Sequence, residues 1–162
     1  MKNKLGICIN NLGPSQLNYF LIKSINEYLD SNINTDIIAF YENIQPKCIP
    51  TKFALMNIIE AWDYSGTLIA TDLSTASKIA KFPSVTRKIF YIWDLEWIRL
   101  RQKQFEELRS IYGNPELELV TRSVDYKKII ENCWNVEVKY TIENFEIETL
   151  IKEMSIKWTN LK

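Results

Sequence analysis

Leu5-Gly6-Ile7-Cys8-Ile9, followed by Asn10-Asn11-Leu12-Gly13-Pro14 and, after a helical run, by Asp36-Ile37-Ile38-Ala39-Phe40-Tyr41, decides the fold. The first five residues form a short apolar run ending in turn chemistry, which reads as a buried strand entering a turn. Leu17, Phe20, Leu21, Ile25, Tyr28 and Leu29 then recur at helical spacing. Gly13 or Ser15 can cap this helix, and Pro14 suits its first turn. Residues 36–41 are the second strand. Strand, helix, strand is the βαβ opening of a parallel sheet.

The alternation continues outward. Residues 42–52 hold Pro46 and Pro50 and read as a loop; 53–57 reads as a strand and 58–64 as a short helix. Gly66 breaks the chain before a strand over 67–70, and a helix over 74–82 ends at Pro83. Residues 88–93 (KIFYIW) make the most convincing central strand. The helix predicted after it gathers Trp97, Leu100, Phe105, Leu108, Ile111 and Tyr112 on one arc, with Arg101, Lys103, Glu106 and Glu107 opposite. Gly113-Asn114-Pro115 stops it. A strand follows over 117–120. Ser123 then reads as an N-cap with Asp125 in the first turn, and Tyr126, Ile129, Ile130, Cys133 and Trp134 as the buried face. Residues 136–142 alternate like a strand, and 146–154 reads as a last helix. Right-handed crossovers put helices on both faces. The predicted class is α/β: a Rossmann-like three-layer α/β/α sandwich, mostly parallel, one domain over residues 1–162.

Length and composition agree. A chain of 162 residues suits one domain, and such a domain buries roughly 70% of its unfolded surface. Apolar residues make up 46%, which argues against disorder. Lysine plus arginine equals aspartate plus glutamate, 20 each. A nucleic-acid binder carries a basic excess, so nucleic acid is disfavoured as a partner, and a neutral surface suits self-association. Cys8, Cys48 and Cys133 are scattered and odd in number, and histidine is absent. That argues against structural zinc and a disulfide framework, and fits a reducing cytoplasm. No signal peptide follows the N-terminus, and no apolar stretch approaches the ~20 residues of a membrane helix. Without histidine, any proton transfer must use Asp, Glu, Lys, Tyr or Cys.

In such a sheet, ligands bind beyond the carboxyl ends of the strands. That rule selects Asn10, Asn11, Gly13, Ser15, Asn57, Thr71, Asp72, Asp94, Glu96, Thr121, Arg122, Ser123 and Asn144. The first turn matches neither G-x-G-x-x-G nor a P-loop. Its backbone N–H groups could meet an anion or a sugar at the helix N-terminus, or merely start the helix. In Trp93-Asp94-Leu95-Glu96-Trp97, a continuing strand would put both carboxylates on one face and both tryptophans on the other. The pair could hold Mn²⁺ or Mg²⁺, or one could act as base toward a hydroxyl; alternatively Asp94 caps the next helix and the tryptophans are core. Asp72 could bond a hydroxylated ligand or cap its helix. Arg122 suits a phosphate or carboxylate, or is a surface residue. Trp62, Trp134 and Trp158 read as core.

The segment LELVTRSVDYKKIIENCWNVEVKYTIENFEIETL resembles the end of the N-terminal, acceptor-side domain of GT-B glycosyltransferases. There a strand leads to a Ser-capped helix, then to a strand ending in a Pro-Asn-Gly-like turn and an acidic helix start. Ser123 matches the serine and Asn144 the asparagine. KLGICINNLGPSQLNYFLIKSINEYL is similar to the family's first strand, loop and helix, and LIATDLSTASKIAKF to its middle strand and helix. KIFYIWDLEW also resembles proteins of large tailed phages. Phe90 to Glu96 is similar to the D-x-D region of GT-A enzymes, with Glu96 in place of the final aspartate.

The GT-B resemblance implies an acceptor cleft with the nucleotide-sugar domain expected elsewhere, on a second protein chain or across a homodimer. The histidine many members carry is missing. The expected function is a glycosyltransferase-like domain binding a sugar, nucleotide or glycosylated acceptor. If it is catalytic, Asp94 or Asp72 would be the base, with Glu96 and Arg122 assisting. The competing expectation is a non-catalytic binding or assembly module on the same fold.

Overall fold

A computed structural model describes residues 3–100 and 104–154. Seven strands form one all-parallel sheet: β1 (Asn3–Ile9), β2 (Thr35–Tyr41), β3 (Ala54–Asn57), β4 (Thr67–Ala70), β5 (Arg87–Ile92), β6 (Leu117–Thr121) and β7 (Tyr140–Thr141). Their spatial order is β3-β2-β1-β4-β5-β6-β7. The chain runs outward from β1 through β2 to β3, then returns to β4 on the other side of β1. The strand order therefore reverses between β1 and β4, where an open α/β sheet leaves a crevice.

Five helices accompany the sheet: α1 (Gln16–Ser31), α2 (Leu73–Ile79), α3 (Phe105–Tyr112), α4 (Val124–Trp134) and α5 (Ile147–Glu153). Alternation along the strands sorts them onto two faces. Leu5, Ile7 and Ile9 of β1 pack in one core with Leu21, Ile22 and Ile25 of α1 and Ile147 and Leu150 of α5. Cys8, Leu68, Ala70, Phe90 and Ile92 pack in the other, with residues of α2, α3 and α4. Covered on both sides, β4 is buried at every position and β5 at all but its first, which is why they read as continuous apolar runs. The fold is the expected Rossmann-like three-layer sandwich. No helix among the described residues is long and apolar enough to cross a membrane.

Several local expectations are corrected. The helix expected from Trp97 to Tyr112 is interrupted: a 3-10 turn over Glu96–Arg99 ends at Leu100 in extended backbone, and α3 starts at Phe105. Trp97 and Phe105 nonetheless share a packing face, because both rings meet Trp134. Periodicity found the face and missed the break. Arg101, Lys103 and Trp158 lie outside the described residues, and Trp62, expected in the core, is exposed, with its ring edge-on to Phe82. In α4 the inner face is Tyr126, Ile130 and Trp134, while Ile129 and Cys133 are exposed. The strand expected over 136–142 shortens to Tyr140–Thr141, since Val138 turns its amide to the Glu131 carboxylate rather than to β6. Ser15, not Gly13, caps α1, leaving Pro14 just outside the helix.

Candidate functional site

The β1–β4 crossover point is built by side chains that tie strand ends together. The Thr71 hydroxyl donates to the Cys8 carbonyl (3.0 Å). Asp72 caps α2 through a capping box: its carboxylate accepts the Thr75 amide at 2.8 Å, and Thr75 Oγ1 accepts the Asp72 amide at 3.2 Å. Burial pushes the Asp72 carboxyl up, partly offset by the Thr75 amide. Across the crevice, Asn11 Oδ1 accepts the Gly13 amide (2.9 Å) and Asn18 Nδ2 donates to the Gly13 carbonyl (2.8 Å). A Cβ on Gly13 would stand 2.2 Å from Gln45 Oε1. Ser15 accepts the Asn18 amide at 3.1 Å. The loop is thus occupied by its own polar groups.

Glu42, the residue after β2, lies across this point. It accepts from Asn10 Nδ2 (3.2 Å) and Ser74 Oγ (2.9 Å) and pairs with Lys78 of α2, its side chain only 6% exposed. Lys78 pairs with this carboxylate and Asp72 beside it is engaged by Thr75, so the crevice mouth holds a cation and hydrogen-bonded carboxylates together.

Glu96 turns back from the 3-10 turn to α2, where the Leu73 amide donates to its Oε1 at 3.0 Å. Burial, with Asp72 close by, pushes its carboxyl up to about 7. It lines a cavity of about 430 Å³ between α2 and α3, with Ser74, Ser77, Lys81 and Gln104 on the wall and Leu108 and Ile111 among the apolar lining. Polar groups converging beside an apolar floor are the usual make-up of a small-molecule site.

Asp94 stands apart from Glu96. Its Oδ1 accepts the Leu95 amide (2.8 Å) and its Oδ2 pairs with Arg99 (2.9 Å), and it caps no helix. β5 ends at Ile92, so the two carboxylates share no strand face. Nor do the tryptophans: Trp93 packs toward Phe20 of α1, and Trp97 against Tyr112 and Trp134 on the other side. Among the described residues no group of three or more acidic, cysteine or histidine side chains is placed to hold a metal ion.

Further along the strand ends, Arg122 lies over the Trp93 ring, 4.3 Å from its centroid. Ser123 caps α4 by accepting the Tyr126 amide (3.2 Å). Thr121 donates to the Ser123 carbonyl (3.1 Å), and Asn57 Oδ1 accepts the Ile59 amide (3.0 Å). Asn144 has left-handed backbone (φ 49°) and lines a second cavity, about 260 Å³, with Phe20, Lys23 and Ser24. The candidates therefore divide into the crossover cluster, the Glu96 cavity and the Arg122–Trp93 stack. Glu42, Ser74 and Lys78 escaped sequence reasoning. The rule that selected Asn10 reaches Glu42 as well, since it follows the last residue of β2.

Comparison with known proteins found no matching family model, no matching curated protein and no matching solved structure.

Proposed function

We propose that this chain is a glycosyltransferase-like domain that binds a sugar, a nucleoside or a glycosylated acceptor at the carboxyl edge of its sheet, with the ligand seated in the cavity beside α2 and α3. One observation carries the reading: Glu96, half-buried and held at Oε1 by the Leu73 amide, lines that cavity with a carboxyl raised to about 7. A carboxyl at this value is ionised in part near neutral pH and retains the basicity to take a proton from a sugar hydroxyl. Asp72 is committed to its helix and Asp94 to Arg99, so the role of base falls to Glu96. Ser74, Ser77 and Gln104 supply hydroxyl-matching partners, and Leu108 and Ile111 meet an apolar sugar face.

The experiment is a calorimetric titration with free sugars, nucleosides and nucleotide-sugars between pH 5.5 and 8.5. A hydroxyl donating to the Glu96 carboxylate makes binding tighten as pH rises through about 7. Glu96→Gln should bind more weakly and lose the pH dependence. Binding with the same pH profile in both proteins would remove Glu96 from the site. Binding without turnover, even beside a donor-binding chain, would favour the second reading, a non-catalytic module. The exposed Ile98, Leu100 and Phe105 near this cavity support that reading.

A further inference from the structure

Arg122 follows the last residue of β6, at the carboxyl edge of the sheet. Its guanidinium carbon lies over the Trp93 ring, 4.3 Å from the centroid, and 5.8 Å from the centroid of the Tyr126 ring. The Trp93 ring is backed in turn by Phe20, 6.1 Å away. An aromatic ring accepts no conventional hydrogen bond from a guanidinium held over it by cation–π attraction, so N–H donors remain for another partner. Arg87 and Arg99 spend theirs within the protein. Arg87 gives Nε and Nη2 to Glu118 and Nη1 to the Met154 carbonyl, and Arg99 pairs with Asp94. Lys88 and Lys139, which line a cavity of about 620 Å³ at the opposite edge, are likewise paired with Glu116 and Glu118. Arg122 is half-buried, yet among the described residues no hydrogen bond or ion pair engages it.

We infer that Arg122, held over Trp93, is the receptor for an oxyanion, a phosphate or carboxylate group gripped by two parallel N–H donors. The Trp93 and Tyr126 rings confine the side chain before the ligand arrives, so less side-chain freedom is lost on binding. A planar two-oxygen edge is the partner that geometry fits, and charge assistance makes both bonds strong. Nearby the backbone is also fixed. Asn144 and Phe145 are both left-handed (φ 49° and 52°), and the Tyr91 hydroxyl accepts the Phe145 amide at 3.0 Å. This receptor does not depend on Glu96 acting as a base, because Trp93 and Trp97 diverge to opposite faces of the sheet and carry the two sites apart.

The test follows the side-chain Nε–Hε resonances of the full chain by NMR during titration with methyl phosphate and, separately, with acetate. The expected result is a saturable shift of the Arg122 resonance with one or both anions, while Arg99, already paired, stays in place. A response to methyl phosphate alone assigns a phosphorylated ligand, and a response to acetate alone a carboxylate. Arg122→Lys keeps the charge but loses the fork and should weaken binding about tenfold; Arg122→Gln should abolish it. Silence of the Arg122 resonance toward both anions in the wild-type chain would overturn the inference without reference to any variant's folding. So would equal affinity in the wild type and Arg122→Lys.

Discussion

Glu96 sits where burial opposes its ionised form. A carboxyl raised from 4.5 to about 7 holds its proton more tightly when folded than when unfolded. Its contribution to stability is therefore fully present below pH 4.5 and is lost as pH rises through about 7. Denaturant melts of wild type and Glu96→Gln should show the variant gaining on the wild type across that interval; parallel pH profiles would contradict the burial argument. Tyr91 works in the opposite sense, as a satisfied buried phenol. Its hydroxyl donates to the Ile142 carbonyl and accepts the Phe145 amide, and burial pushes it up to about 12. Tyr91→Phe strands both backbone groups and should cost about 1–3 kcal/mol, measured by chemical denaturation. At this scale the sequence was informative wherever a residue's role is local. Ser15 and Ser123 cap the helices they precede, as their type and place foretell. It was silent on Glu42 and on the raised Glu96, because those depend on what β2, α2 and the 3-10 turn bring together from distant parts of the chain.

Among the elements, β1 shows why glycine occupies a central strand. A Cβ on Gly6 would lie 2.2 Å from Leu68 Cδ2 and 3.0 Å from Phe40, both fully buried. Gly6→Ala should therefore destabilise by about 1–3 kcal/mol despite alanine's better intrinsic behaviour in a strand; an unchanged midpoint would mean that β1 and β4 are looser than described. α4 ends in a left-handed Asn135 (φ 52°). Asn135→Gly should raise stability by a few tenths to about 1 kcal/mol, since glycine meets no Cβ penalty there; a lowered melting temperature would contradict that reading of the cap. The strands were the most legible elements, because burial on two faces writes itself as unbroken apolar runs. The interrupted helix after β5 was the least legible. Trp97 and Phe105 keep a helical spacing for packing on Trp134 even though Leu100 between them is extended.

For the whole molecule, the strand reversal between β1 and β4 opens a crevice at one edge of the sheet, and the candidate residues are distributed unequally along that edge. Glu42, Asp72 and Glu96 gather at its α2 side, while Arg122 and Trp93 occupy its other part. On the proposed reading, the hydroxyl-matching half and the cationic, aromatic half would meet different parts of a polar carbohydrate-like ligand. The parallel direction of the strands was readable from the βαβ opening, while their spatial order came with the structure. The division of the edge was not readable, since it arises from which neighbour each charged side chain finds after folding.

The most direct measurement is a two-dimensional amide NMR titration of the full chain with a panel of free sugars and nucleotide-sugars, in wild type and Glu96→Gln. The account predicts saturable shifts concentrated on Leu73, Ser74, Ser77 and Gln104, reduced in the variant. Shifts that gather elsewhere, or that are the same in both proteins, would contradict it.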